Sequence, residues 1–379
     1  MIPLSVPCIT GNEWEYVKTC LDSGWVSTAG SFVSRFEEDF RRYTGAGHAI
    51  ACMNGTAALH VALGLVGVTA GDEVLVPTLT FIASVNAISY LGASPVFMDC
   101  DEFYNIDVDS TREFLEDETE LREGVCYNRR SGRRIAALVP VHVFGNAARV
   151  QELVPLCRER GIRIVEDAAE SLGTVYSDGR HTGTIGDVGC FSFNGNKILT
   201  TGGGGMIVTD NAAYAERARY LTTQAKDDEL HYVHNEVGYN YRLTNLQAAL
   251  GVAQLEQLPR FLEIKRSNFE AYRTGCAGIA GLSIAAVPPY ADNNCWMYAL
   301  RIDRDRYGRT PEQVIQALGQ QQIQTRPVWY LNHLQRPYRG CQAYRVERAL
   351  SLYAQTINLP CSTSLTPADV DTVLRALAQ

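Results

Sequence analysis

The chain has 379 residues, 46% of them hydrophobic and 20% charged, with a formal net charge of −8. These values are typical of a soluble globular protein with one large or two compact domains. The negative balance argues against nucleic acid as a partner, and no apolar run reaches the roughly 18 residues of a membrane span. Eleven scattered cysteines, no CxxC pair and no secretory signal predict a cytoplasmic location and no metal site.

Hydrophobic periodicity and turn residues predict alternating helices and strands over the first two thirds of the chain. The predicted helices are 13–22, 31–44, 57–66, 83–91, 109–123, 149–160, 212–221 and 245–257. The predicted strands are 49–53, 73–76, 95–98, 135–141, 162–166, 188–193 and 206–209. Because these strands are largely continuous apolar runs, the pattern favours an α/β fold whose mostly parallel sheet is covered on both faces.

The C-terminal third has a different character. Pro259 is expected to end the helix at 245–257, and the pattern changes again near 275–281. Short strands and helices follow, among them a strand at 297–302 and helices at 310–320 and 367–378. We therefore predict a large domain at 1–256 and a smaller domain with antiparallel strands at 257–379.

Several polar or aromatic residues follow predicted strands. They are Asn54–Thr56, Phe81, His142, Asp167 and Lys197. In a parallel sheet, ligands collect at the carboxyl ends of the strands, so we expect these residues to face one cleft. His142 has an alternative interpretation as a buried polar residue that is satisfied by the core.

Lys197 is one of only four lysines. Lys18, Lys226 and Lys265 lie in amphipathic or polar stretches with helical periodicity, where a lysine is most often a solvated charge. Lys197 instead lies at a strand end among small, turn-forming residues, where desolvation can lower the pKa of an amine and make it a nucleophile. A surface loop lysine is the alternative. A phosphate-binding P-loop is excluded because the lysine precedes the glycines.

Asn54–Thr56 adds a candidate anion site, since a helix that starts after a glycine turn presents free N–H groups. A strand-end aspartate, a loop lysine and an anion site are the three groups that pyridoxal phosphate needs, for its ring nitrogen, its aldehyde and its phosphate respectively. Ser192 could add a hydroxyl to the phosphate site. The alternatives are a helix cap for Asp167 and ordinary strand–helix punctuation for Asn54–Thr56.

Five motifs carry a resemblance to a known family. They are NGTAALH (54–60), PTLTFIAS (77–84), EDAAESLG (166–173), SFNGNKILTTGGGGM (192–206) and GYNYRLTNLQAA (238–249). Together they resemble the DegT/DnrJ/EryC1/StrS sugar aminotransferases. The resemblance implies the type I aminotransferase fold, with a mostly parallel seven-stranded sheet, a smaller C-terminal α+β domain, bound pyridoxal phosphate and a homodimer with shared active sites.

The resemblance also implies roles for individual residues. Lys197 would hold the cofactor covalently and shuttle protons, and Asp167 would face the pyridine nitrogen. Further cofactor contacts would come from Gly55, Thr56, Ala57, Phe81, Glu170 and Ser192, and from Asn240 and Arg242 of the neighbouring subunit. The nucleotide sugar would lie near Trp25, Ser27, Thr28 and Arg326. Two departures from the family pattern are Glu170, where many members have glutamine or histidine, and a glycine run without an acidic residue.

Within that family, the chain looks most similar to the enzymes that aminate C4 of UDP-linked 4-keto-6-deoxy-N-acetylhexosamines. The resemblance therefore implies transfer of the amino group of glutamate to such a sugar, for bacterial surface glycans. Alternatives within the family are GDP-4-keto-6-deoxymannose and a dTDP-linked 3-keto sugar. Outside it, the alternatives are a lyase or desulfurase of the same fold and a non-catalytic protein that binds a nucleotide sugar.

Overall fold

The computed structural model describes residues 1–228 and 230–379. Its helices are α1 (Glu13–Ser23), α2 (Ser31–Thr44), α3 (Gly55–Leu65), α4 (Ala83–Tyr90), α5 (Val108–Asp117), α6 (Val150–Glu159), α7 (Ala212–Thr222), α8 (Asn245–Ala277), α9 (Arg304–Tyr307), α10 (Pro311–Gln320), α11 (Arg348–Gln355) and α12 (Pro367–Leu377). Within these described residues, no helix is both long enough and apolar enough to cross a membrane.

The strands follow the order predicted for the first part of the chain and become short in the last part. They are β1 (His48–Cys52), β2 (Glu73–Pro77), β3 (Ser94–Met98), β4 (Thr119–Arg122), β5 (Val125–Asn128), β6 (Ile135–Leu138), β7 (Arg163–Asp167), β8 (Val175–Tyr176), β9 (Val188–Ser192), β10 (Gly205–Thr209), β11 (Leu282–Ile284), β12 (Ala291–Asp292), β13 (Tyr298–Ile302), β14 (Arg326–Pro327) and β15 (Thr356–Leu359).

A seven-stranded sheet in the order β1-β10-β9-β7-β6-β2-β3 forms the framework. Strand β10 is antiparallel to both of its neighbours, and the other neighbouring pairs are parallel. Strands β2 and β10 are buried along their whole length, which explains why all their residues except Glu73 and Thr209 are apolar. The predicted α/β type I fold with a mostly parallel sheet is confirmed.

The C-terminal part is built on a second sheet, β11-β13-β15-β14, which is antiparallel throughout. The prediction that Pro259 ends the preceding helix is wrong, because α8 continues to Ala277. Proline removes one helical hydrogen bond, but Leu258 and Phe261 on either side of it are buried in the core, and this packing holds the helix. Helix α8 crosses residue 256 without a break. The boundary between a large domain at 1–256 and a smaller domain at 257–379 stays a prediction.

The helix predicted at 109–123 ends early. Helix α5 stops at Asp117, and β4 and β5 form an antiparallel hairpin. Glu123 and Gly124 connect the two strands with φ of 52° and 79°. Positive φ at both central residues is typical of the tight turn that best matches the twist of a hairpin. In the sequence, apolar and polar residues alternate around Gly124, and this pattern is typical of a β-hairpin.

Helix α3 begins two residues earlier than predicted, at Gly55. Asn54 caps it, since its side-chain oxygen accepts a hydrogen bond from the N–H of Ala57 at 2.7 Å. The helix therefore starts directly at the end of β1, and its first turn lies at the carboxyl edge of the sheet.

Candidate active site

A cavity of ≈ 330 Å³ lies at the carboxyl ends of the sheet strands. Its walls come from segments that follow β1, β2, β7 and β9, whose ends meet at one edge of the sheet. Among the predicted site residues, those that line it are Gly55, Thr56, Phe81, Asp167, Glu170, Ser192 and Lys197. The structure thus brings most of the predicted cofactor residues into one cavity.

The start of α3 and Ser192 form one corner of this cavity. A Cβ atom on Gly55 would lie only 2.8 Å from the Cβ of Ser192, so only glycine allows the two segments to approach. The first N–H groups of a helix lack acceptors within the helix, and those of Gly55 and Thr56 border the cavity. Ala57 differs from the prediction because its N–H is already bonded to Asn54.

Asp167 ends β7 and is 4% exposed. Its Oδ2 accepts a hydrogen bond from the hydroxyl of Ser84 at 2.6 Å, and its Oδ1 accepts one from the N–H of Ala169 at 3.1 Å. The bond to Ala169 is the local turn that the helix-cap alternative expected, but no regular helix follows. One face of the carboxylate therefore remains directed at the cavity that Asp167 lines.

Lys197 has a side chain that is only 12% exposed. Its Nζ lies 3.2 Å from Oε1 of Glu170 and 4.1 Å from the centroid of the Trp296 ring, within the range of a cation–π contact. The ring of Trp296 is fixed in turn, since its Nε1 donates to the carbonyl oxygen of Asn196 at 2.8 Å. The amine is thus held inside the cavity, and the surface-loop alternative does not describe it.

The expectation for one other lysine is wrong. Lys265 is buried, with 2% exposure, where a solvated charge was expected. Its Nζ donates to the carbonyl oxygens of Trp296, at 2.9 Å, and of Cys361. Helix α8 carries it into the core, where these two carbonyl groups replace water. It lies outside the cavity and links α8 to the segment before β13 and the segment after β15.

Glu170 is the second buried carboxyl group of the cavity. Its Oε2 accepts a hydrogen bond from the N–H of Phe144 at 2.9 Å. Burial raises the pKa of Glu170, and the charge of Lys197 opposes that rise only in part. Phe144 has a φ of 60°, which is uncommon for a large residue, and its ring stacks on Trp329 at 5.1 Å.

Phe81, Trp296 and Trp329 form the aromatic part of the cavity lining. Phe81 is 52% exposed, so its ring is free to contact a bound planar group. Sequence analysis missed Trp296, Trp329 and Ser84. Ser84 is the last residue of the motif at 77–84, but only the fold shows that α4 brings its side chain to Asp167. The two tryptophans come from the C-terminal part of the chain, where no sequence motif indicated that they belong to the site.

His142 does not line this cavity. It is fully buried, and its Nε2 donates to Glu166 at 2.9 Å while its Nδ1 accepts from the N–H of Ala148 at 3.0 Å. Glu166 also accepts hydrogen bonds from the N–H groups of Gly183, Ile185 and Gly186. The expectation that His142 faces the cleft is wrong, and the core alternative holds.

The remaining predicted residues lie elsewhere on the chain. Asn240, Arg242 and Thr28 line a separate cavity of ≈ 590 Å³, Trp25 borders a third cavity and Arg326 a fourth. Ser27 is exposed, and its carbonyl oxygen accepts a hydrogen bond from Asn245 at 2.6 Å. A single chain therefore does not bring these residues to Lys197.

The donor set fits pyridoxal phosphate. The corner formed by Gly55, Thr56 and Ser192 supplies N–H and hydroxyl donors for a phosphate. Asp167 supplies an anion, and Lys197 supplies an amine in the same cavity. Among the described residues that line the cavity, Lys197 is the only cation, although a phosphate and a dicarboxylate amino donor would both need positive charge.

A family model described as the DegT/DnrJ/EryC1/StrS aminotransferase family matches residues 7–378. At least three curated relatives are named GDP-perosamine synthase. The one from Caulobacter vibrioides is 37% identical over 380 residues, which cover 100% of this chain and 98% of that protein. A relative from Bacillus subtilis, named putative pyridoxal phosphate-dependent aminotransferase EpsN, is 37% identical over 383 residues, or 99% and 95% of the two chains.

The fold has close counterparts among solved structures. The aminotransferase TlmJ from Streptoalloteichus hindustanus superposes with a TM-score of 0.89 at 30% sequence identity. The match covers 100% of this chain and 98% of that one. The aligned region therefore includes both sheets and the residues that line the cavity around Lys197.

Proposed function

The chain belongs to the DegT/DnrJ/EryC1/StrS aminotransferase family, whose members depend on pyridoxal phosphate, and we propose that it moves the amino group of glutamate to C4 of a GDP-linked 4-keto-6-deoxy sugar. The observation that carries the chemistry is the joint position of Lys197, Asp167 and the start of α3 on one cavity. When bound there, the cofactor supplies an aldehyde that accepts the amino group and a ring that withdraws electrons from the reacting carbon.

Lys197 is proposed to anchor the cofactor and to move a proton at the reacting carbon. Its Nζ lies between two groups that restrict it, the Glu170 carboxyl group and the Trp296 ring, and the bond to the Asn196 carbonyl oxygen holds that ring in place. A proton-transfer group must stay within hydrogen-bond reach of its target, and this enclosure would hold the amine at such a position in the cavity. Glu170 can take up or return the proton that the amine carries, since its carboxyl oxygen lies 3.2 Å away.

Asp167 is proposed to hold the ring nitrogen of the cofactor in its protonated form. A carboxylate next to an N–H⁺ makes a charge-assisted hydrogen bond. The donors from Ser84 and Ala169 fix both oxygens and keep the carboxyl group from rotating. Gly55, Thr56 and Ser192 would bind the phosphate, and the exposed ring of Phe81 would cover one face of the cofactor.

The shortage of cations around Lys197 supports a second copy as part of the site. Arg242 and Asn240 line their own cavity together with Lys226 and Arg219, outside the cavity of Lys197. We propose that a homodimer places Asn240 and Arg242 at the phosphate corner of the neighbouring chain. Thr28 lines the same cavity as Asn240 and Arg242. Together with Trp25, Ser27 and Arg326, it is proposed to contact the nucleotide sugar.

GDP is the favoured nucleotide because several relatives that align along most of this chain are named GDP-perosamine synthase. The UDP-linked 4-keto-6-deoxy-N-acetylhexosamine expected from the sequence is the second candidate.

The experiment is amino transfer from ¹⁵N-labelled glutamate to a panel of nucleotide-linked 4-keto-6-deoxy sugars, read by mass spectrometry. We expect the largest kcat/KM with the GDP-linked sugar. A preference for the UDP-linked N-acetyl sugar would select the second candidate. Absence of labelled amino sugar with every nucleotide, from protein that binds pyridoxal phosphate, would contradict the proposed function.

A further inference from the structure

Ser84 occupies the second position of α4 and is 1% exposed. Its Oγ lies 2.6 Å from Oδ2 of Asp167, across 83 positions of sequence. The other acceptors within reach are more distant, since Oγ is 3.5 Å from both the carbonyl oxygen of Phe81 and the hydroxyl of Thr80. The hydroxyl hydrogen is therefore committed to the carboxylate, which can only accept.

This contact fixes the orientation of Asp167. A carboxylate that is bonded through one oxygen can still turn about its Cβ–Cγ bond, whereas here Ser84 holds Oδ2 and the N–H of Ala169 holds Oδ1. The first donor comes from a buried position in α4 and the second from the turn that follows β7. The lone pairs that remain are then presented to the cavity in a fixed plane, which is what a hydrogen bond to a planar ring nitrogen requires.

We propose that Ser84 is a positioning residue that sets the carboxylate of Asp167 for its contact with the ring nitrogen of the cofactor. The inference rests on the proposed function, because it gives Asp167 that role. Ser84 does not itself line the cavity, in contrast to its neighbours Phe81 and Ala83. Its effect on the reaction is therefore exerted through Asp167.

The test compares Ser84→Ala and Ser84→Cys with the matched control Ser89→Ala. Cysteine nearly keeps the volume of serine, so the fold is preserved, but its S–H is a weak donor. Ser89 lies on the same helix, and its hydroxyl contacts Val85 and Tyr338 instead. Measurements are kcat and KM for glutamate, and the dissociation constant of pyridoxal phosphate by equilibrium dialysis.

We expect both Ser84 variants to lower kcat about 10-fold. The KM for glutamate should stay within about twofold of the wild-type value, and the dissociation constant of pyridoxal phosphate should rise about fivefold. Ser89→Ala should match the wild type in all three. A kcat and a cofactor dissociation constant for Ser84→Cys within about twofold of wild type would overturn the inference. Failure of the wild-type protein itself to bind pyridoxal phosphate or react with glutamate would overturn the proposed function as well, so the two failures are distinguishable.

Discussion

The Nζ atom of Lys197 lies 3.2 Å from Oε1 of Glu170, and both side chains line the same cavity. Glu170 is almost fully buried, with 5% of its side chain exposed. At this distance the charge of the amine opposes the rise in the pKa of Glu170 that burial causes. The lysine therefore has a proton-exchange partner within the protein before any ligand is bound.

Replacing Glu170 with glutamine should remove the acidic limb of the pH–rate profile. Burial raises the pKa of Glu170 above 4.5, so in the wild type its protonation should lower turnover at a pH above that value. Glutamine can still accept the hydrogen bond from Phe144. Glu13→Gln is the matched control, because Glu13 is equally buried but lies outside the cavity. An unchanged acidic limb in Glu170→Gln would exclude Glu170 as the titrating group.

Asp167→Asn should slow the half-reaction with glutamate about 100-fold, because an amide cannot hold a ring nitrogen in its protonated form. Asp99→Asn is a matched control. Asp99 directly follows a sheet strand, β3, but it caps α11 by accepting from the N–H groups of Arg348 and Ala349. We expect this control to lower thermal stability without a comparable rate loss. A near-normal single-turnover rate for Asp167→Asn would mean that Asp167 serves only the local turn.

Stability should fall in mild acid because of His181. Its Nε2 accepts from the N–H of Gly173 and its Nδ1 donates to the carbonyl oxygen of Thr182, so the ring is held neutral. Burial lowers the pKa of His181 to about 4 from 6.5. Between these values the unfolded chain binds a proton that the folded chain does not, so the free energy of unfolding decreases as pH falls, by up to about 3 kcal/mol in total.

Denaturant unfolding of His181→Gln and of the wild type at pH 7, 6, 5 and 4 checks this effect. The difference in unfolding free energy between the two proteins should shrink or reverse toward pH 4. His231→Gln, which replaces an exposed imidazole, serves as the control. Parallel curves for His181→Gln and the wild type would show that His181 contributes nothing to the acid dependence.

The sequence predicted the sheet and the placement of several residues on one cavity because both depend on local signals. Strands β2 and β10 are mostly apolar runs, and Gly55, Asp167 and Lys197 lie at or shortly after the ends of strands. Contacts between distant segments could not be predicted in the same way. Ser84 meets Asp167 only because β2 and β7 flank β6 in the sheet, and Trp296 reaches Lys197 from the C-terminal part of the chain.

Buried polar groups were the other source of error. The position of His142 after a strand predicts a place in the cleft, and the polar sequence around Lys265 predicts a solvated charge, but each is buried against partners on other segments. Pro259 predicts the end of a helix whose apolar face extends beyond it. In each case tertiary packing outweighed a local rule.

A shared active site should be revealed by subunit complementation. An inactive Lys197→Ala chain is refolded together with an inactive chain that carries Asn240→Ala and Arg242→Ala. In each heterodimer, one of the two sites keeps its own Lys197 and receives Asn240 and Arg242 from the other chain. Random pairing makes about half of the dimers mixed, so we expect recovery of about one quarter of wild-type activity. No recovery, with heterodimers demonstrated by native mass spectrometry, would mean that each chain completes its own site.

The most direct test of the account is the identity of the amine that holds the cofactor. The protein is incubated with pyridoxal phosphate, reduced with borohydride, digested, and mapped by mass spectrometry. We predict a single modified residue, Lys197, and loss of the modification in Lys197→Ala but not in Lys226→Ala. Modification of Lys18, Lys226 or Lys265 in its place, or none in protein that binds the cofactor, would contradict the central role given to Lys197.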